Sequence, residues 1–234
     1  MKIVVSTGAG VSAESGMPTY RDAGGLWDNY PVMEVASAEG YARNPSLIHE
    51  FYSNMRTKMS RDVKPNAAHL ALAEMESEYD MHIITQNVDD LHERAGSSRV
   101  LHLHGELMKV RSVRCPDRIY TLPCDALSDK GLVTTMDTRD EYGDAVRPHI
   151  VFFGEDVPDF ASAVSLVEQA DVLVIIGTSL VVYPAAALLH YVRPDARVFY
   201  IDPHPAAVSS RVTVIPTVAT EGVARLREML KQSC

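Results

Sequence analysis

Short apolar runs of strand length recur along this chain, and they constrain its fold more than any other feature. The runs cover residues 2–6, 81–85, 100–103, 149–153, 172–177, 197–201 and 212–215. Each is rich in Val and Ile and is apolar at both odd and even positions. Strands of this kind are typical of a parallel sheet that is covered on both faces.

Helix-forming segments lie between several of these runs, at residues 66–78, 161–169, 185–191 and 221–230. Alternation of strands and helices with short connections predicts an α/β fold. We therefore expect a Rossmann-like, doubly wound parallel sheet, whose ligand crevice lies at the carboxyl ends of its strands.

Two long segments interrupt the alternation, at residues 22–64 and 108–147. The first contains a predicted helix near residues 46–59. Unstructured loops longer than about 15 residues are uncommon inside a compact domain. We therefore expect one domain over residues 1–234, in which both segments pack together as a small lobe. Residues 1–21, 65–107 and 148–234 would then form the Rossmann-like part.

The composition is that of a globular protein, with 46% hydrophobic and 23% charged residues among 234. Its net charge of −9 disfavours binding to nucleic acid phosphates or anionic membranes. No apolar run approaches the roughly 18 residues that span a bilayer. Three cysteines make a disulfide framework improbable, and the first residues lack the pattern of a signal peptide. These features predict a cytoplasmic protein.

A glycine loop follows the first predicted strand. Gly8-Ala9-Gly10 and the helix start after it match the strand–glycine–helix pattern of dinucleotide-binding proteins. A tight strand–helix turn is the alternative interpretation. The sequence of residues 18–27 does not predict a second strand ending in an acidic residue, which disfavours a hydride-transfer enzyme but not nucleotide binding.

Polar residues follow three other predicted strands, where a parallel sheet would bring them to one edge. Gln86, Asn87 and Asp89 follow one strand, His104 follows the next, and residues 177–179 follow a third. His104 precedes a glycine and can project into a crevice, where a neutral imidazole is a natural general base. A buried core histidine is the alternative, and His102, two residues earlier, is interpreted as a packing residue.

Taken together, these motifs resemble the sirtuins, the NAD-dependent protein deacylases. Residues 8–16 with 18–21, 85–89, 104–105, 151–155 and 177–179 match the family's signatures in order over nearly the whole chain. The closest likeness is to the bacterial class III branch, whose members are deacetylase-like or desuccinylase-like.

The resemblance implies both the reaction and the residues that perform it. The carbonyl oxygen of an acylated protein lysine would attack the nicotinamide ribose of NAD, giving nicotinamide and O-acyl-ADP-ribose. His104 and Asn87 would be catalytic, and residues 151–154, namely Val151, Phe152, Phe153 and Gly154, would pair with the substrate backbone. The implied NAD-binding residues are Gly8, Ala9, Gly10, Ser12, Glu14, Tyr20, Arg21, Trp27, Gln86, Asn87, Val88, Asp89, Gly177, Thr178, Ser179, Asp202 and Ala219.

The chain departs from the family at its structural zinc site. The family carries two Cys-x-x-Cys pairs, but here Arg118 follows Cys115, Cys124 stands alone and residues 137–144 contain no cysteine. We predict that no zinc is bound and that packing holds the small lobe. A mixed site with Asp117 or His149 is the alternative.

A second departure concerns the acyl group. The desuccinylase branch uses a Tyr-x-x-Arg motif to bind the acyl carboxylate, whereas here Met55 lies three residues after Tyr52 and Arg56 lies four after it. Either Arg56 takes over the carboxylate, or it is a solvated surface residue and Met55 lines an apolar pocket. Acetyl is the expected substrate, with succinyl or malonyl open.

Two rival functions remain at this stage. Mono-ADP-ribosyl transfer would use the same cleavage of NAD, and a non-catalytic module that binds NAD or ADP-ribose would need no general base. The sequence predicts neither the oligomeric state nor the protein substrates.

Overall fold

The computed structural model describes residues 1–17 and 30–232. The predictions for Tyr20, Arg21 and Trp27 lie outside these ranges. Within them, the strands are β1 Lys2–Thr7, β2 Asp80–Thr85, β3 Val100–His102, β4 Gly105–Ser112, β5 Ile119–Thr121, β6 Val146–Ile150, β7 Val172–Ile176, β8 Arg197–Ile201 and β9 Val212–Ile215.

The helices contribute the layers on either side of the strands. They are α1 Gly10–Ala13, α2 Val32–Val35, α3 Ala38–Arg43, α4 Pro45–Asp62, α5 Ala67–Met75, α6 Leu91–Ala95, α7 Phe160–Glu168 and α8 Ala219–Lys231, with a 3₁₀ helix at Ala185–Tyr191. Among the described residues, no helix has the length and apolar character needed to cross a membrane.

A six-stranded parallel sheet forms the larger layer, in the order β3-β2-β1-β7-β8-β9. The chain runs outwards from β1 through β2 to β3, then returns to the other side of β1 at β7. The strand order therefore reverses between β1 and β7, and ligands of open α/β sheets bind at such a reversal. The predicted α/β fold with a parallel sheet is confirmed.

Both faces of this sheet are buried, because helices cover each of them. On one face, Ile3 and Val174 pack with Leu72 of α5 and Leu226 of α8. On the other face, Val4 and Ile175 pack with Val167 of α7 and Leu188 of the 3₁₀ helix. Side chains that alternate along β1 and β7 thus enter two different cores, which explains why these runs are apolar at both odd and even positions.

One predicted strand belongs to a different sheet. The run at residues 149–153 was expected in the parallel sheet, but Val146–Ile150 forms β6 of a three-stranded antiparallel sheet, in the order β5-β4-β6. Phe153 is half exposed. The prediction was wrong because local apolar character does not specify which sheet a strand joins.

The antiparallel sheet packs against α4. Ile48 and Phe51 of this helix share a buried cluster with Leu107 of β4, with Ile150 of β6 and with Phe152. Ser53 Oγ of the same helix donates to the Thr134 carbonyl at 3.2 Å, so the two segments that interrupt the strand–helix alternation contact each other directly. The boundaries of a separate small lobe stay a prediction.

An ion-pair cluster lies in the region where the family would bind zinc. The Arg118 guanidinium, three residues after Cys115, lies 3.1 Å from an Asp140 carboxylate oxygen and also bonds to Asp144. The Asp140 side chain is fully buried, and its other oxygen accepts the backbone N–H groups of Tyr142, at 3.0 Å, and Asp144, at 2.9 Å.

These residues do not fit a zinc site. A guanidinium at this point would repel Zn²⁺, and within the described ranges no group of three His, Cys, Asp or Glu side chains is arranged to hold a metal ion. The absence of zinc stays a prediction. The structure does show that Arg118 pairs with Asp140 and Asp144 inside the second segment, in addition to the expected packing of Val110, Leu122, Leu127 and Val146.

We predict that Asp140→Ala destabilises the protein. The substitution removes the acceptor of two part-buried backbone N–H groups and one of the two carboxylates that pair with Arg118, which costs about 1–3 kcal/mol in the free energy of unfolding. Urea denaturation would measure the change. Asp125→Ala is the matched control, because the Asp125 side chain in the same region is 94% exposed. Equal effects of the two substitutions would contradict the prediction.

Candidate active site

A cavity of about 490 Å³ opens at the carboxyl ends of β1, β2 and β7, against the antiparallel sheet and α4. Its described lining includes most residues that the sequence predicted for a site. These are Gly8, Ala9, Gly10, Glu14, Tyr52, Met55, Gln86, Asn87, Val88, His104, Val151, Phe152, Phe153, Gly154, Gly177, Thr178, Ser179 and Asp202.

The glycine loop lies against the end of β7. Gly8 N–H donates to the carbonyl of Ile176 at 3.0 Å, and Gly10 N–H donates to the carbonyl of Gly177 at 2.9 Å. A Cβ on Gly8 would lie 2.7 Å from the Gly177 carbonyl oxygen, and one on Gly10 would lie 2.6 Å from Gly177 Cα. Glycine is therefore required because two backbones meet here, and the same absence of side chains opens the loop to a ligand.

Asn87 is held at the base of the cavity by a polar network. Its backbone N–H donates to Thr85 Oγ1 at 3.0 Å, and its amide nitrogen lies 3.2 Å from the Gly8 carbonyl oxygen and 3.3 Å from Ser12 Oγ. Ser12 Oγ in turn donates to Asp89 at 3.1 Å. These bonds fix the side-chain amide before a ligand binds.

Ser12 and Asp89 lie behind the described cavity wall and support Asn87. Asp89 is 5% exposed. Burial raises the pKa of its carboxyl group to about 6, although bonds from Leu91 N–H and Ser12 Oγ oppose the shift. Asp89 is therefore ionised at neutral pH, and its carboxylate keeps the Ser12 hydroxyl oriented.

His104 lies where the parallel sheet meets the antiparallel one. The next residue, Gly105, has φ of +82°, and a Cβ there would lie 2.1 Å from the His149 carbonyl oxygen. This turn lets β4 leave the parallel sheet directly after His104 and directs the imidazole into the cavity between the two layers.

The hydrogen bond of His104 specifies its tautomer. Nδ1 lies 3.0 Å from the carbonyl oxygen of Gln86, which can only accept, so Nδ1 carries the proton. Burial lowers the pKa of His104, and the bond to Gln86 only partly opposes this. The ring is therefore neutral at pH 7, with the lone pair of Nε2 available to accept a proton.

Hydrogen bonds and burial show where three other predicted residues lie, namely Gln86, Glu14 and Ala219. The Gln86 amide donates to Thr178 Oγ1 at 3.3 Å, which joins the ends of β2 and β7. Glu14 accepts from the backbone N–H of Thr220 at 3.0 Å. Ala219 is buried at the start of α8, and its neighbour Val218 lines the cavity in its place.

The segment at residues 151–154 already pairs within the chain. Val151 N–H donates to the His104 carbonyl at 3.0 Å, and Phe153 N–H donates to the Ala36 carbonyl at 2.8 Å. Phe152 N–H donates to the Glu155 carboxylate at 2.9 Å. The carbonyl groups of Phe152 and Phe153 also accept within the chain, from Glu155 N–H at 2.9 Å and Ala38 N–H at 3.0 Å. A substrate strand would therefore have to pair with the remaining backbone groups at Val151 and Gly154.

Arg56 lies neither in the acyl pocket nor on the surface, the two positions that the sequence left open. Its side chain is fully buried, so it is not a surface residue, and it is not part of the described cavity wall. Nε donates to the Leu107 carbonyl at 2.9 Å, and a terminal nitrogen donates to the Leu132 carbonyl at 2.7 Å. Burial lowers the pKa of the guanidinium to about 10, so it stays charged at neutral pH.

Sequence reasoning missed several lining residues, and adjacency would have identified most of them. Phe51 precedes Tyr52 on α4, and Ile150 precedes the predicted run at 151–154. Val182, Tyr183 and Pro184 follow the third polar strand end within five residues. The cavity is also lined by Val157, Pro203, His204 and Val218. Pro203 and His204 follow the end of β8 and Val218 follows the end of β9, so these strand ends indicate where three of the four lie.

Comparison with known proteins agrees with this site. The sequence profile of the Sir2 family matches residues 8–184. The chain belongs to the Sir2 family. This Sir2-family chain is 52% identical over 230 residues to an NAD-dependent protein deacylase of Bacteroides thetaiotaomicron, covering 97% of both proteins. A protein of the same description from Helicobacter pylori J99 is 52% identical over 201 residues, covering 86% of this chain and 82% of that protein.

Solved structures of the family share the fold. A Sir2 homologue in complex with NAD superposes with a TM-score of 0.85 at 35% identity, covering 99% of this chain and 90% of the other. A Sir2 mutant bound to a deacetylated p53 peptide and 3′-O-acetyl ADP-ribose gives a TM-score of 0.80 at 31% identity, covering 97% and 92%.

We predict that Arg56→Met destabilises the fold. The buried carbonyl group of Leu107 and the part-buried one of Leu132 would lose their donor, at a cost of about 2–4 kcal/mol in the free energy of unfolding. Chemical denaturation would measure this. Arg61→Met is the control on the same helix, because the Arg61 side chain is 74% exposed. Wild-type stability of Arg56→Met would show that the guanidinium does not hold the two segments together.

Proposed function

We propose that this chain is an NAD-dependent protein-lysine deacylase. The observation that carries the proposal is the neutral His104, whose Nε2 is free to accept a proton in a cavity shared with Asn87. The same cavity contains the glycine-lined ends of β1 and β7 and an apolar pocket beside α4. A binding module needs no such base.

The chain's own residues fit NAD. The open backbone at Gly8 and Gly10 suits a pyrophosphate, and residues 177–179 with Asp202 offer polar groups for the adenosine part. Asn87 and Gln86 supply amides at the nicotinamide and ribose end. When bound, NAD supplies an electrophilic ribose carbon and the nicotinamide leaving group.

His104 is the general base in this proposal. The Gln86 carbonyl holds Nδ1–H, so the ring presents Nε2 in one orientation and takes up a proton there without changing tautomer. The ring is only partly accessible, so the proton acceptor is shielded from bulk water. Asn87, fixed by Thr85, Gly8 and Ser12, orients the reacting groups beside it.

The acyl-lysine side of the cavity is apolar. Phe51, Tyr52 and Met55 of α4 face Ile150 and Phe152 across it. The predicted division into a Rossmann-like part and a small lobe would place this pocket between the two. We propose that a protein segment lies along residues 151–154 and inserts its acylated lysine here.

His104→Ala should abolish turnover but preserve NAD binding. The loss of a general base lowers kcat by about 100- to 10,000-fold. Mass spectrometry would follow nicotinamide and O-acyl-ADP-ribose release from an acetyl-lysine peptide, and calorimetry would measure NAD affinity. His190→Ala, at an exposed histidine of the 3₁₀ helix, is the control.

The pH dependence gives a second readout of the same residue. Because the pKa of His104 is lowered below 6.5, the active neutral form is complete at pH 7 and is lost as the pH falls through that lowered value. Surviving activity in His104→Ala would overturn the role of the base. ADP-ribose retained on the peptide would instead indicate transferase activity.

The preferred acyl group follows from the position of Met55. Met55 lines the cavity, and in the described ranges the lining contains no Lys or Arg side chain. A carboxylate buried without a cation is strongly disfavoured. We therefore propose that acetyl and other uncharged acyl groups are substrates, and that succinyl and malonyl are poor ones.

Met55→Arg should change this preference. Position 55 lies three residues after Tyr52 on α4, so a guanidinium there faces the same pocket. We expect the wild type to favour acetyl- over succinyl-lysine peptide by about 100-fold in kcat/KM, and the variant to lose most of that ratio. Met55→Leu is the size-matched control. Efficient wild-type removal of succinyl groups would refute the proposed preference but not the deacylase function.

A further inference from the structure

His102 is a buried histidine for which the proposed reaction has no use. It ends β3, pairs in register with Thr85 of β2, and its side chain is 7% exposed. Within the described residues the cavity wall includes Asn87 and His104 but not His102. The imidazole thus lies behind the loop that carries Asn87.

Both ring nitrogens of His102 face groups that can only accept hydrogen bonds. Nδ1 lies 3.0 Å from the backbone carbonyl oxygen of Asn87, and Nε2 lies 2.7 Å from a carboxylate oxygen of Glu93 on α6. A neutral imidazole has one N–H and could satisfy only one of them. The contacts therefore require a ring that is protonated on both nitrogens.

We propose that His102, kept positively charged by Glu93, is a positioning residue that fixes the Asn87 loop for NAD binding. The inference rests on the proposed function, since it concerns the same cavity. It completes the anchoring of Asn87: Thr85 holds its N–H, Gly8 and Ser12 hold its side-chain amide, and His102 holds its carbonyl oxygen.

The surrounding charges support a protonated ring. Burial lowers the pKa of His102, but the bond to Glu93, the charges of Glu93 and Glu106 and the Asn87 carbonyl outweigh it, so the pKa is raised above 6.5. Burial alone would raise the pKa of Glu93, but the hydrogen bond and the charge of His102 outweigh burial, so the pKa of Glu93 is lowered. Asp89 and His92 also face this charge, which favours the Asp89 carboxylate and disfavours a charged His92.

The sign of the pH effect follows from the raised pKa. The charged ring is complete below pH 6.5 and is lost as the pH rises through the raised value. Above that value one nitrogen presents a lone pair to an oxygen, and the anchor on the Asn87 carbonyl weakens. NAD affinity should therefore fall on the alkaline side, whereas loss of the His104 base acts on the acid side.

Nuclear magnetic resonance of histidine ring nitrogens and calorimetry with NAD test the proposal. The His102 signal is the one that disappears in His102→Gln. We expect its pKa to exceed 6.5 in the wild type and to fall in Glu93→Gln, a change on a partly exposed side chain of α6. In Glu93→Gln the alkaline loss of NAD affinity should move to lower pH, giving about tenfold weaker binding at pH 8 and little change at pH 6.

His102→Gln should bind NAD about tenfold more weakly, with no alkaline dependence left in this range. His82→Gln is the matched control, because His82 lies on the neighbouring strand β2 and pairs with Asp80 at 3.3 Å, away from the cavity. A purely structural role would lower thermal stability in the variants but leave the shape of the NAD–pH profile unchanged.

Two results would overturn the inference while the proposed function stands. One is a His102 pKa at or below 6.5 in the wild type. The other is an NAD–pH profile that stays the same in Glu93→Gln and His102→Gln. Failure of the wild type to bind NAD at any pH would overturn the proposed function and this inference together.

Discussion

The carboxyl ends of β1 and β7 meet backbone to backbone, and the rest of the site depends on this contact. Gly8 and Gly10 lie so close to Gly177 that any side chain would collide with main-chain atoms. The strand order also reverses between β1 and β7, and this reversal leaves a crevice at the same point. Gln86, Asn87 and His104 then reach this crevice from the neighbouring strand ends.

A chain of buried hydrogen bonds continues from that contact. Gly8 holds the Asn87 amide, Ser12 links Asn87 to Asp89, and Thr85 holds the Asn87 backbone. Buried polar groups are costly when unpaired and rigid when fully paired. The network therefore keeps the Asn87 amide oriented without relying on a ligand, which is the physical meaning of preorganisation at this site.

Local patterns in the sequence were sufficient for much of the fold. Residues 2–6 and 172–177 are apolar at both odd and even positions because both faces of β1 and β7 are covered, and this pattern can be recognised without a structure. The antiparallel sheet was not predictable in the same way. The apolar run at residues 149–153 resembles the other runs, and only the pairing of Val146–Ile150 with β4 places this part of the chain outside the parallel sheet.

The sequence by itself determined the parallel sheet, the glycine loop and the polar strand ends, because strand period and glycine spacing are local properties of the backbone. Tertiary structure decided what Arg56, Arg118 and His102 do. Arg56 bonds to carbonyl groups 51 and 76 residues away, Arg118 bonds to a carboxylate 26 residues away, and His102 joins the Asn87 loop to α6. The role of a long polar side chain depends on which acceptors lie next to it in the folded chain. The spacing of residues in the sequence does not specify those acceptors.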